Sequence, residues 1–535
     1  MIGGHMNSDC KGRLYLLLHA HLPFVRNPHY ERFFEENWLF EALTETYLPL
    51  IQALSRLAEK GVPGVLNLSV SPTLLAMLSD ELLLTRYSRH LQKLQELASK
   101  ELKRLSGDSE RLEIAKFYAA RIVELSEMWE NRLRRDIVSA FSSLERRGKL
   151  ALLTCVGTHP FLPAYQAEPE AIRLQLHLTV EAFQKAFGRN PKGVWLPECG
   201  YFDGLDAYLA EQGFEYFFME THGVLLASPA PKFGVFAPVR TPAGLLAFGR
   251  EQSSSVEVWS RERGYPGHPD YREFYKDISR ELPRSYLGDY FFAGNSPIDS
   301  GFKYYRITGG EDKALYRPWL AMNLAREHAR LFVANRERTA VELALDMNSK
   351  RPCILCPYDA ELFGHWWFEG PQFIESVFER AAASTSIRLS SVNELSPDPW
   401  DREIHHPIFS SWGENGFSSV WINSEVDFIY PKFFRMFGIF RKCQTEARPT
   451  EFQKRILAQM LRELALFQSS DWAFMIHNHS AADYAKRRLE EHERDFMKLS
   501  AMFAGEFADE SLLGEIEKRD NLFPWLKTEH RCLQI

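Results

Sequence analysis

Gly193-Val194-Trp195-Leu196-Pro197-Glu198-Cys199-Gly200-Tyr201 is the stretch on which the fold of this chain turns. Its apolar run, Val194 to Leu196, has the length and the β-branched and aromatic content of a buried strand, and Pro197 stops it. Glu198 therefore stands where a strand gives way to a loop. The C-terminal ends of parallel strands are where α/β barrels assemble their sites. A lone Glu at such a place is, to begin with, a capping or salt-bridging surface carboxylate. Repetition of the same pattern elsewhere changes that.

Working outward, an apolar run from Arg13 to Leu18 ends in His19-Ala20-His21-Leu22-Pro23, and Ala151 to Val156 ends in Gly157-Thr158-His159-Pro160. Pro352 to Cys356 ends in Pro357-Tyr358-Asp359, followed by Ala360-Glu361-Leu362-Phe363-Gly364-His365-Trp366-Trp367. Each is an apolar strand, polar residues at its end, and a proline nearby. His19 and His21, two apart in extended chain, point the same way. Val65 to Ser69 is a further strand, and Glu170 to Phe187 and Leu315 to Leu345 carry helical spacing, so the alternation predicts a parallel sheet or barrel. Asp270 to Leu282 is predicted helical as well, and the Pro-rich segment 223–244 is a lid candidate.

Residues 75–148 place apolar residues at helical spacing with charges between, which predicts a helical insertion. Past about residue 395 strand character is lost, and Glu451 to Phe467 and Ala481 to Phe503 are long amphipathic helices. The expected organisation is a catalytic α/β unit over 12–74 and 149–395, the insertion 75–148, and an all-α domain over 396–535 that lends aromatic residues to the cleft.

Among 535 residues, 45% are hydrophobic and 25% charged, with a net charge of −7, which argues against nucleic acid as the main partner because phosphate binding needs clustered Lys and Arg. Aromatic residues make up 13%, including 12 Trp, the flat rings that sugar clefts and large cores both use. Seven scattered cysteines, among them Cys532, predict reduced thiols and a cytoplasmic setting rather than a disulfide framework. Cys353-x-x-Cys356 lies in an apolar run without a second Cys pair, which favours strand packing over zinc or redox chemistry. Met1 to Met6 has the look of a tag remnant, and no apolar run is long enough to span a membrane.

Two carboxylates at strand ends, Glu198 and Asp359, meet the requirement of glycoside hydrolysis for a pair flanking the scissile bond. The rival chemistry is a zinc hydrolase of the H-x-H type with His19, His21 and His159 as ligands.

The motifs H-A-H-L-P, G-T-H-P-F-L-P, W-L-P-E-C-G-Y and P-Y-D-A-E-L-F-G-H-W-W, in this order, resemble the signature regions of glycoside hydrolase family 57. The likeness is to its 1,4-α-glucan branching enzymes and extends into the helical C-terminal part, through W-G-E-N-G-F and D-W-A-F-M-I. It implies an incomplete (β/α)7 barrel and a retaining mechanism with Glu198 as nucleophile and Asp359 as general acid/base. It also implies an α-1,4-glucan substrate, glycogen-type biosynthesis, a monomer, and neither cofactor nor metal, with an α-amylase or 4-α-glucanotransferase of the same family as the alternative activity. Trp38, Trp259, Trp412 and Trp421 correspond to glucan-stacking aromatics, with Trp366 and Trp472 as further rings in the motifs and His19, His21 and His159 as sugar ligands. The family's branching enzymes use a Tyr in a mobile loop to exclude water, whereas 223–244 holds Phe233 and Phe236 but no Tyr.

Overall fold

Period-two alternation along the first strand sets the architecture. In β1 (Gly12–Ala20), Leu14, Leu16 and Leu18 join the large apolar layer outside the sheet, whereas Tyr15 and Leu17 join a second, smaller apolar cluster. A strand buried on both faces lies between two apolar compartments, as the strands of parallel sheets do. The small cluster also takes Leu153, Cys155, Trp195, Phe218, Phe248 and Leu355, so successive strands line one common interior.

The computed structural model describes residues 10–260, 263–308, 310, 312–347, 350–394, 403–445 and 449–526. Met1 to Met6, Cys532 and the boundary expected at 395/396 lie outside the described residues. After β1 come β2 (Leu66–Val70), β3 (Leu150–Cys155), β4 (Gly193–Trp195), β5 (Tyr216–Met219), β6 (Val239–Arg240) and β7 (Leu246–Gly249). A small hairpin, β8 (Phe292–Ala293) and β9 (Ser296–Pro297), precedes β10 (Cys353–Asp359) and β11 (Ile387–Leu389). The sheet runs β10-β1-β2-β3-β4-β5-β7-β6, with every pairing from β10 to β7 parallel and β6 antiparallel at the edge. The two ends of the parallel run approach without pairing as strands; the Glu251 backbone N–H, just past β7, donates to the Leu355 carbonyl of β10 at 2.9 Å. The result is an incomplete (β/α)7 barrel.

Between β2 and β3 lie the helices Glu81–Arg104, Ser109–Glu127 and Ile137–Arg146. The C-terminal part is built of Ile429–Gln444, Glu451–Phe467, Ser470–His477, Ala482–Phe503 and Glu510–Arg519. Thr450 caps the second of these in a reciprocal capping box with Gln453. Cys353 and Cys356, three apart on one strand, fall in the inner and outer clusters respectively, so strand geometry keeps them from acting as a pair.

Two expectations are corrected. Asp270 to Leu282 is not a helix: only Ile278–Arg280 forms a 3-10 turn, because the Glu273 and Ile278 N–H groups donate to Tyr305 and Phe302 carbonyls of a neighbouring segment. Nor do Phe233 and Phe236 form a cover over the strand ends. Phe233 faces Lys350, which precedes the start of β10 at the end opposite Asp359, and Phe236 packs on the outer core.

Candidate active site

Strand register brings the site together. His19 pairs with Asp359 across β1 and β10 and with Ser69 across β1 and β2, so three polar side chains meet at one end of the barrel, beyond the apolar interior. The adjoining loops supply the rest. Glu198 follows β4 in a tight 3-10 turn, Pro197–Cys199, with Glu198 at φ 58° and Cys199 at φ 50°, and His159 follows β3 at φ 62°. The left-handed region costs a side-chain-bearing residue about 1 to 3 kcal/mol, a strain that persists only where surrounding contacts hold it.

Those contacts come from the C-terminal part. The Trp412 N–H donates to the Glu198 carbonyl at 2.8 Å, and the Ser470 N–H donates to the His159 carbonyl at 2.8 Å. The Glu198 carboxylate is held at both oxygens: the Trp412 indole N–H reaches Oε2 at 2.6 Å and the Ser470 hydroxyl reaches Oε1 at 2.7 Å. Both lengths are typical of charge-assisted bonds to an ionised acceptor. Burial raises Glu198 to about 7 even against the opposing pull of these two donors. Asp359, the last residue of β10, accepts no side-chain or backbone donor among the described residues; burial pushes it up to about 6, with Arg250 and His21 opposing. Glu198 thus carries two donors and Asp359 none among the described residues, while burial raises both carboxyls, Glu198 to about 7 and Asp359 to about 6.

The three histidines stack. His21 lies over His159 with ring centroids 3.8 Å apart, and His159 and His19 meet through their Nε2 atoms at 3.1 Å. Burial drives His19 and His159 well below the usual histidine range, so both rings are neutral. His21 differs: burial opposes its charge, but Asp471, 3.0 Å from its Nε2, more than offsets this and raises it. In return His21 holds Asp471 down at about 2 against the pull of burial. His21, His159 and Asp471 offer ligand atoms within 4.8 Å of one another, a spacing compatible with a metal ion. Yet the ring nitrogens are committed elsewhere: those of His159 to Ser470 and His19, those of His21 to Ser71 and Asp471.

Of the expected tryptophans, Trp412 alone touches a carboxylate of the pair. Trp421 and Trp472 are each 1% exposed, Trp421 stacked on Phe161 and Trp472 donating its indole N–H to the Leu466 carbonyl, so neither offers a ring face to a sugar. Trp38 is half-buried, edge-on to Tyr484. Trp259, at the end of helix Gln252–Trp259, and Trp366, stacked on Phe274, are about half-exposed and share no hydrogen bond with Glu198 or Asp359. Sequence reasoning missed Ser470 and Asp471, which sit beside the Trp472 it singled out, and the half-buried Glu361, whose carboxylate accepts from the Tyr47 hydroxyl and is pushed by desolvation up to about 7. A polar pair at a helix start inside an otherwise apolar run, S-S-D-W-A-F-M-I, was the available signal.

Known proteins resemble this chain over nearly its whole length. Residues 15–398 match the profile of glycosyl hydrolase family 57, and residues 435–530 match that of the 1,4-alpha-glucan branching enzyme C-terminal domain. A 1,4-alpha-glucan branching enzyme of Thermococcus kodakarensis is 32% identical over 96% of this chain and 77% of its own length. Among solved structures, an alpha-amylase of Thermotoga maritima is 37% identical with a TM-score of 0.89, covering 98% of this chain and 99% of that one. A branching enzyme of Pyrococcus horikoshii is 31% identical with a TM-score of 0.85, covering 97% and 96%. With its barrel matched from β1 past β11 and its helical end matched to a domain of the same enzymes, this chain belongs to glycosyl hydrolase family 57.

Proposed function

We propose that the protein is a retaining α-glucan enzyme, a 1,4-α-glucan branching enzyme that cuts α-1,4 bonds and forms α-1,6 branches. The observation that carries this is Glu198 clamped at both oxygens next to a half-buried Asp359 whose carboxylate accepts no donor among the described residues. Glu198 attacks the anomeric carbon while Asp359 protonates the departing oxygen, giving a glycosyl-enzyme; Asp359 then takes the proton of the incoming 6-hydroxyl. His21, whose protonated form Asp471 favours at 3.0 Å, lies beside the pair, where its positive charge stabilises the ionised form of Asp359. No step calls for a metal or cofactor, and persistence of activity after chelation checks that.

The C-terminal match to branching enzymes supports 6-hydroxyl transfer over water as the second step. One observation favours α-amylase activity as a second reading: the alpha-amylase relative is similar over nearly the full chain, and segment 223–244 has no Tyr, with Phe233 turned to the far end of the barrel. Among the described residues no helix is long and apolar enough to cross a membrane. We place the enzyme in the cytoplasm, in glycogen-type synthesis, acting as a monomer on soluble glucan. Incubation with amylose followed by proton NMR decides the main question. New α-1,6 signals establish branching, and reducing ends without them move the protein to the amylase.

A further inference from the structure

The nucleophile's partner from the C-terminal helices does more than touch it. Ser470 opens the helix Ser470–His477, and its Oγ lies 2.7 Å from Glu198 Oε1 and 2.8 Å from His159 Nδ1. His159 Nε2 is 3.1 Å from His19 Nε2, and His19 Nδ1 is 3.4 Å from Ser69 Oγ, which reaches the Thr154 carbonyl at 3.1 Å. Ser470 is 3% exposed, His159 3%, His19 2% and Ser69 fully buried, so this row lies out of bulk water.

We propose that Ser470 is a positioning residue for the reaction, one that fixes Glu198 Oε1 and, through His159, imposes a single proton order on the row Glu198, Ser470, His159, His19. The proof is a count of hydrogens. An ionised carboxylate only accepts, so the one hydroxyl hydrogen of Ser470 goes to Glu198. Ser470 Oγ must then accept from His159, which places that ring's proton on Nδ1 and leaves Nε2 bare. His159 Nε2 must in turn accept from His19 Nε2–H, which leaves His19 Nδ1 to accept from the Ser69 hydroxyl at 3.4 Å in place of the Thr154 carbonyl. Reversing any member sets two hydrogens or two lone pairs against each other in a buried place, where an unmade bond is costly. Without the Ser470 hydroxyl, His159 Nδ1–H faces Glu198 Oε1 at 3.6 Å, too far for a good bond.

This rests on Glu198 being the nucleophile, and it bears on both halves of the reaction. In the first, a Glu198 oxygen bonds to the anomeric carbon as the leaving oxygen takes the proton of Asp359. In the second, that C–O bond breaks, the electron pair returns to Glu198, and the acceptor's proton goes to Asp359. The carboxylate is attacking group in one step and leaving group in the other, and a donor that stabilises it as an anion favours its departure.

The test compares Ser470→Ala, Ser470→Thr and Glu198→Gln on a short malto-oligosaccharide, following kcat, KM and the acid limb of kcat/KM. Ser470→Ala is expected to lower kcat about 10- to 100-fold, the loss of one charge-assisted bond, with KM within about 3-fold. Its acid limb moves to higher pH, because a Glu198 with one donor fewer is harder to ionise. The other titratable groups facing Glu198 are Asp471, Asp359, His21, His159, Cys155 and Cys199, and all are retained. Ser470→Thr, which keeps the hydroxyl, recovers most of the loss. Wild-type kcat and an unmoved acid limb in Ser470→Ala, or a Thr variant as poor as Ala, overturn the proposal. If instead Glu198→Gln keeps its turnover, the nucleophile assignment itself fails.

Discussion

Glu198 and Asp359 are the same chemical group in the same site, held in opposite ways. Glu198 sits on a strained left-handed turn with both oxygens bound by residues from the far end of the chain. Asp359 ends an ordinary extended strand, φ −66° and ψ 135°, and its carboxyl is free. A nucleophile must be aimed along one line and kept charged, which calls for fixed donors. A group that gives and then takes a proton needs the opposite, since any strong fixed donor would favour one protonation state throughout.

The contrast is broken most severely at the carboxylates. Glu198→Gln should lose transfer and hydrolysis together by roughly 10² to 10⁴ or more, on any donor. Asp359→Asn should fail equally on malto-oligosaccharides but keep measurable glycosylation by an α-glucosyl fluoride, whose leaving group needs no proton. Equal rates for both variants on the fluoride would show that the two carboxylates do not divide the work as their surroundings imply.

Next in size is Trp412→Phe, which keeps a ring but removes the N–H on Oε2. Turnover should fall about 10- to 100-fold, with the branching-to-hydrolysis ratio unchanged because the donor serves the intermediate common to both. A change in product ratio at preserved turnover would return Trp412 to an acceptor-stacking role. Trp421→Ala sharpens the same point from the other side. Removing a buried ring packed on Phe161 should cost about 3 to 5 kcal/mol of stability, read as a lower unfolding midpoint, while the surviving enzyme keeps the native product ratio.

The smallest effect concerns Glu361, the half-buried neighbour held by Tyr47. Burial raises its carboxyl from 4.5 to about 7 in the fold, so the folded chain binds a proton that the unfolded chain has released. Stability from this group is therefore intact below about pH 4.5 and is lost as pH climbs to about 7. Glu361→Gln, which still accepts from Tyr47, should raise Tm at pH 8 by about 1 to 3 °C and leave it nearly unchanged at pH 4. An equal shift at both pH values would show that packing, not charge, is responsible.

How much of this was legible in the sequence follows the same division. Asp359, His19 and His21 were plain, because an apolar run that alternates between two buried faces fixes where its last residues point, and register does the rest. Glu198 was legible as a position but not as a conformation, since nothing in W-L-P-E-C-G announces a left-handed carboxylate. Ser470 and Trp412 were hidden in their function because each is brought to Glu198 by tertiary docking of a distant segment. Trp421 and Trp472 misled for a related reason. Composition marks a tryptophan as a stacking ring or a core ring equally well, and only its neighbours decide.

The hydrogen bonds from Trp412 and Ser470 to the backbone of Glu198 and His159 have a consequence for biosynthesis. A ribosome delivers the whole barrel, with Glu198 and Asp359 both in it, before Ser470 has been made. In that interval the Ser470 hydroxyl is missing from Glu198 Oε1 and the Ser470 N–H from the His159 carbonyl. A chain that ends before the last helices thus lacks one of the two donors on the Glu198 carboxylate.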